Sequence, residues 1–389
     1  MRQYDRNEPP GLSEPTELSE PTEPSEPIER REMRRTVADF LDRHADIRTA
    51  MTNADGYDRE LWRRGVDELG VSALLVPERC GGLGMSFADG AVLVAEFGRR
   101  LVPSPLLDTV VATAVLAACG TDEADWLLTE IATEGLSVAV AFAEPEAGWC
   151  ADSLASRAAS HSAGWTLRGA KEYVAHGATA DLLLVPARTT EGELRLYVTR
   201  ASDAGLRRTS RTALDHTRTL AEIEFTDAVA VRVDGSAGGA DSVALLSGLM
   251  LTALAVESAA AARSCLSGIV TYLSVRQQFG RALGSFQALK HRCADLAVRV
   301  AGAEATAWYA TESVGNGAQA ATTPELAKVV CADALLRVAA ESVQLHGGIG
   351  FTFDHDAHLF LKRGKANQLL FGSGQQLRTR VAEAAGLGT

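Results

Sequence analysis

The residues best placed to do chemistry fall in three short runs. Arg276-Gln277-Gln278-Phe279-Gly280 is followed, seven residues after the glycine, by Gln287; Gln344-Leu345-His346-Gly347-Gly348-Ile349-Gly350-Phe351 comes later; Glu144-Pro145-Glu146-Ala147-Gly148 lies in the middle of the chain, ahead of Gly169-Ala170-Lys171. Arg276 offers a forked, always-charged donor suited to a phosphate oxygen. Phe279 can pack on a flat ring, and Gln287 and Gln344 carry both donors and acceptors. Gly347 and Gly348 let a backbone approach phosphate with no Cβ in the way. Taken singly, these residues are as well explained by a surface arginine, a core phenylalanine and a plain turn. The array carries the argument. A Rossmann reading fails, because Gly347-Gly348-Ile349-Gly350 and Gly81-Gly82-Leu83-Gly84 are short of GxGxxG and neither sits between a hydrophobic strand and a helix.

These runs need a scaffold. Residues 1–28 contain a Ser-Glu-Pro-Thr-Glu repetition that cannot bury apolar area, which predicts a disordered, acidic, proline-rich tail. Residues 29–135 read as a helical domain, with apolar stripes at Val37, Phe40, Leu41 and at Leu61, Trp62, Val66, Leu69. Over 136–233 the period changes to two. Strands are expected at Ser137–Phe142, Gly164–Leu167, Leu182–Ala187, Leu194–Val198 and Ala221–Phe225, with a hairpin turn at 190–193. Short strands between turns predict a β-barrel or sandwich. Residues 234–242, rich in glycine, read as a flexible linker. From 243 to 389 the pattern is helical again. Phe286, Leu289, Cys293, Leu296 and Val300 share one face, Gly315-Asn316-Gly317 ends that helix, and Thr323-Pro324 starts the next as N-cap and first helical residue. The fold class is therefore α+β and multidomain, closing with a four-helix bundle.

Composition narrows the function. The 389-residue chain is too long for one core, is 46% apolar and carries a formal net charge of −12, which argues against nucleic acid and anionic membranes as partners. The six cysteines form no CxxC pair and read as reduced thiols. No apolar leader is seen, and the apolar stretch Leu245–Ala262 carries Glu257, so it reads as a buried helix rather than a membrane insertion; a cytoplasmic protein is expected.

The three runs, in their order and spacing, resemble the acyl-CoA dehydrogenase family, and Val76–Gly84 adds to the likeness. The resemblance implies an FAD cofactor shared across a subunit interface. It would be held by Arg276, Phe279, Gln287, Gln344, Gly347, Gly348 and Ser373, and lined by Phe142, Ala143, Tyr173 and Ala175. It also implies an acyl-CoA or acyl-carrier thioester substrate, a homo- or hetero-oligomer (dimer or tetramer) and an electron acceptor such as an electron-transfer flavoprotein. Against the family's pattern, Ala143 and Ala175 replace threonines that hydrogen-bond the flavin, Trp149 replaces a serine, and Tyr173 replaces a tryptophan.

The larger departure is the base. The family's reaction removes an α-proton with a carboxylate, and a gapless count from Gln344 puts Phe371, followed by Gly372-Ser373, where that glutamate belongs. The alternative place used by some members falls near Met250 or Leu251, and neither accepts a proton. Glu257 reads as a structural carboxylate, and 354–358 as an exposed loop. The catalytic residue is unassigned. The wording of Leu359–Arg363 and Leu370–Gly372 resembles an actinobacterial branch that works as two-chain assemblies with one base-less chain. Three functions follow: an FAD-dependent dehydrogenase making the α,β-double bond of a thioester; a base-less chain that builds a flavin site for its partner; and a flavin-dependent oxygenase on the same fold.

Overall fold

The structure, a computed structural model, describes residues 27–162, 164–235, 238–315 and 322–387. The tail expectation lies almost wholly outside these residues. The first helical layer is α1 (Ile28–His44), α2 (Ile47–Thr52), α3 (Arg59–Leu69), α4 (Phe87–Arg99), α5 (Leu106–Cys119) and α6 (Asp122–Glu134). Its boundaries follow local chemistry. A Ser86–Asp89 capping box opens α4, while α3 and α6 end on Gly70 and Gly135 in the left-handed region.

Seven strands follow: β1 (Val138–Val140), β2 (Arg157–His161), β3 (Gly164–Ala175), β4 (Leu182–Arg188), β5 (Leu194–Arg200), β6 (Leu206–Arg211) and β7 (Leu220–Arg232). The pairings β4–β2–β3–β7–β5–β4 return to their start, so the sheet closes into a barrel. β1 runs parallel beside β4, and β6 lies antiparallel beside β7. Alternation divides β1: Ala139 and Ala141 face the barrel interior, while Val138, Val140 and Phe142 join the core shared with the helices. Strands β2 and β6 go beyond the sequence expectation. Arg157-Ala-Ala-Ser-His161 and Leu206-Arg-Arg-Thr-Ser-Arg211 bury almost no apolar side chains, so they leave no period-two signal.

The chain re-enters helix at α7 (Gly239–Val275), inside the stretch read as a linker. Glycine here serves close approach rather than flexibility, since a Cβ on Gly239 would lie 2.2 Å from the Leu194 carbonyl oxygen on β5. Asp234 is likewise buried, in reach of Arg195 and Arg232. A short hairpin of β8 (Gln277–Gln278) and β9 (Arg281–Ala282) leads to α8 (Gln287–Gly315), α9 (Thr323–His346), α10 (Ala357–Leu369) and α11 (Gly374–Ala384). Thr323 is the first helical residue of α9, not its cap; Thr322 holds the cap position with no side-chain bond. Asn316 and Gly317 lie outside the described residues. Helix α7 is the central rod, packed on α4 and α5 on one side and on α8 and α9 on the other. By length and composition it could cross a membrane, but 78% of its most apolar window is buried inside the structure.

Candidate functional site

Two groups of the expected residues form, at different places. The first lies on the barrel wall. Lys171 is fully buried and donates to the Glu144 carboxylate at 2.7 Å, to the Phe142 carbonyl at 3.1 Å and to the Pro186 carbonyl at 2.8 Å. Glu144 also accepts from the Ala155 and Ser156 amides. Burial pulls the Lys171 ammonium down to about 8 despite Glu144. Burial would raise the Glu144 carboxyl, but Lys171 outweighs it and holds it low. Burial weakens the Lys171 charge, but at about 8 it still lies above neutral pH, and with Glu144 held low the pair stays charged, all three ammonium donors and both carboxylate oxygens being bonded. The Glu-Pro and Gly-x-Lys runs thus clamp residues 142–144 to β3.

Immediately beyond Lys171 the β3–β7 register slips before Val174, and Tyr173 takes φ +54°. This bulge turns the Tyr173 ring outward, 52% exposed, and the Glu172 amide donates to the Ala143 carbonyl at 2.8 Å. Phe142 and Ala143 are buried, and Ala175 ends the strand. Trp149 stands over this wall, its ring 6.4 Å from Tyr173 and 4.5 Å from Phe371, the planes of the latter pair inclined by 31°. Phe371 also meets Phe142 at 5.5 Å. Ser373, two residues on, caps α11: its hydroxyl pairs with Gln376.

The second group sits at the far end of the bundle, where α7 and α9 finish and α8 begins. Tyr272 ties these ends together, donating to the His346 carbonyl at 3.3 Å with its ring on the His346 ring. Arg276 is exposed, and its guanidinium has no ion pair among the described residues. Phe279 is 89% exposed at φ +54°, its ring edge-on to Phe286, on which Arg281 also stacks. Gln287 and Gln344 are exposed, and a Cβ on Gly347 or Gly348 would meet nothing within 4 Å. An exposed cation without an ion pair among the described residues, exposed amides, an exposed ring and open glycine backbone fit a phosphate- and ring-bearing ligand such as FAD. Within one chain the groups are far apart. Lys328 on α9 donates to the Gly372 carbonyl, and Gln344 lies sixteen residues further along the same helix, about 24 Å at 1.5 Å per residue.

Behind the barrel wall lies a polar core of which the sequence disclosed only Glu257, read as a structural carboxylate. Glu257 on α7 accepts from Arg218 at 2.6 and 2.7 Å, from Arg363 at 2.7 Å and from the Asn367 amide at 2.8 Å. Arg363 reaches on to Asp215 at 2.6 Å and to Thr217. Asp108 on α5 accepts from the Val140 amide at 3.0 Å. With His176, Ala175, Arg218 and Glu257 it lines a cavity of ≈ 20 Å³, space for a single water. Burial would raise Glu257, but the two guanidiniums and Asn367 hold it at about 2. Burial pushes Asp108 up to about 7, against the pull of the Val140 amide and Arg218. Burial, then Arg218 and Arg363, takes His176 down to about 3. The available signal was Asp108 and Glu257 standing alone in apolar helical runs, since a lone carboxylate there demands a partner.

Known proteins match over most of this length. The description "Acyl-CoA dehydrogenase, N-terminal domain" fits residues 27–133, and "Acyl-CoA dehydrogenase, C-terminal domain" fits residues 247–386. Acyl-CoA dehydrogenase IpdE2 of Mycobacterium tuberculosis is 36% identical over 355 residues, 90% of this chain and 96% of that protein. This chain belongs to the acyl-CoA dehydrogenase family. Among solved structures, a variant of the Tcur3481-Tcur3483 steroid ACAD superposes with a TM-score of 0.85 at 27% identity, covering 92% of this chain and 98% of that one. The ChsE4-ChsE5 complex of M. tuberculosis gives 0.84 at 25%, covering 94% and 99%.

As an acyl-CoA dehydrogenase-like flavoenzyme the chain takes FAD as its cofactor. Its barrel and helical bundle are the expected architecture. Phe371, which the count from Gln344 puts at the base position, is buried in an aromatic stack. Met250 and Leu251 are buried in the same apolar cluster. Glu257, ion-paired on both oxygens, is a poor proton acceptor at neutral pH.

Proposed function

We propose that this chain is a flavin-site-building subunit of a mixed acyl-CoA dehydrogenase assembly, in which a second chain brings the carboxylate that takes the α-proton. One observation carries this reading: Phe371, a ring with no proton-accepting atom, is packed against Trp149 and Phe142 where the base would stand. FAD supplies the hydride acceptor for α,β-desaturation of the thioester. Arg276 and the open Gly347-Gly348 backbone would face its phosphates, Phe279, Gln287 and Gln344 its nucleotide portion, and Phe142, Ala143, Tyr173, Ala175 and Ser373 its ring system. Because the two groups lie near opposite ends of α9, each would complete a site with the complementary group of a neighbouring chain. That arrangement accounts for the exposed Phe279 and Arg276.

The test is co-expression. The chain purified alone should hold little FAD and should not reduce it with acyl-CoAs under anaerobic conditions. Paired with a glutamate-bearing relative from the same genome, it should co-purify and bleach. Bleaching by the lone chain would overturn the reading in favour of a self-sufficient enzyme.

A further inference from the structure

Trp149 and Phe371 are held in place more firmly than a chance contact requires. Trp149 follows a closed loop in which the Glu144 amide donates to the Gly148 carbonyl at 3.1 Å and the Gly148 amide returns to the Glu144 carbonyl at 2.8 Å. Downstream, Glu144 fixes the Ala155 and Ser156 amides, so the indole hangs from a segment anchored at both ends. Phe371 sits at φ +56°, a left-handed conformation that costs a bulky residue energy and persists only where its surroundings impose it. Those surroundings are visible. Lys328, itself buried, donates to the Gln368 carbonyl at 3.0 Å and to the Gly372 carbonyl, gripping the chain on either side of Phe371. The Ser373–Gln376 capping box fixes the next residues.

The result is a continuous stack, Tyr173–Trp149–Phe371–Phe142, laid across the junction of barrel wall and α10–α11 turn. Its two ends differ. Tyr173 is half exposed, whereas Phe371 is 7% exposed and belongs to the large apolar core that also holds Leu370, Leu377, Met250 and Leu251. Between the indole and Phe142 the stack consists of rings in contact.

We propose that Trp149 and Phe371 are a paired gate that closes this chain's junction of barrel wall and α10–α11 turn to acyl thioesters, leaving only the Tyr173 side of the wall open to ligand. This rests on the flavin-site reading above and names the residues that decide what reaches it. The gate is steric. Removing the indole leaves Phe371 without its stacking partner and opens the wall, while a conservative ring keeps it shut.

The experiment is calorimetric titration of octanoyl-CoA into the purified chain, with and without added FAD, alongside Trp149→Gly, Trp149→Phe and Phe371→Ala. Thermal unfolding and flavin content are recorded for each. Wild type and Trp149→Phe should show no saturable binding. Trp149→Gly should bind at least tenfold more tightly than the wild-type limit, with no reduction of the flavin, since the base is still missing. Phe371→Ala opens the junction from the other ring and serves if Trp149→Gly does not fold. Saturable octanoyl-CoA binding by wild type overturns the gate, as does a folded gate variant that binds no better than wild type. Absence of FAD from the co-expressed assembly would instead count against the flavin-site reading, and the titration of the lone chain without FAD still reads the gate.

Discussion

Arg363 on α10 grips Glu257 on α7 at 2.7 Å while its Nε donates to Asp215 at 2.6 Å, so one guanidinium joins the bundle to the barrel. All three side chains are buried. Glu257→Gln should leave two guanidiniums short of a counter-charge, and breaking such a buried pair costs about 3–5 kcal/mol. Because the Glu257 carboxyl is held at about 2, below its ordinary 4.5, its contribution is present above pH 4.5 and lost as pH falls towards 2. Urea unfolding of wild type and variant should therefore differ most at neutral pH and converge in acid.

Asp108 behaves in the opposite sense. Its folded value of about 7 lies above the ordinary 3.8, so the folded state keeps a proton that the unfolded chain releases, and stability falls as pH rises between those values. Asp108→Asn retains an oxygen for the Val140 amide and removes the charge. Each tenfold difference in proton affinity between folded and unfolded chain is worth about 1.4 kcal/mol. The variant should therefore be more stable than wild type by a few kcal/mol at pH 8 and nearly equal to it at pH 4. Melting temperatures across that range check it.

Arg276 is exposed and has no ion pair among the described residues, so replacing it should leave the fold intact. Arg276→Ala in the assembled protein should weaken FAD binding by roughly 10- to 100-fold, the worth of a charge-assisted hydrogen bond of about 1.5–3 kcal/mol. Arg276→Lys should recover little of it if the contact is forked. Equilibrium FAD titration by flavin fluorescence measures both. Unchanged affinity in the alanine variant would remove Arg276 from the site.

Lys171→Met strands the Glu144 carboxylate inside the barrel and frees the Phe142 and Pro186 carbonyls. A loss of about 3–5 kcal/mol is expected. Pairing it with Glu144→Gln should recover part of that loss. Chemical denaturation of the single and double variants gives the coupling directly.

Much of the molecule is legible in the order of its residues. Helix periodicity, glycine stops and the Ser86–Asp89 cap are local, and they delimit the first helical layer. The strands that pack against something announce themselves by alternation. Arg276, Phe279, Gln287, Gln344, Gly347 and Gly348 stand out as candidates because their short runs specify backbone and donor chemistry without reference to distant residues, and the structure leaves all six exposed. Three things were left to the tertiary structure. Strands β2 and β6 exist because a barrel must close, not because their side chains call for burial. The polar core draws Asp108, Asp215, Arg218, Glu257 and Arg363 from both helical layers and the barrel, and charge pairing at that range leaves no periodic trace. Last, the sequence told only that Phe371 cannot accept a proton. That its ring lies on Trp149 follows from the meeting of the barrel wall with the α10–α11 turn, a contact fixed by packing geometry between segments remote in the chain.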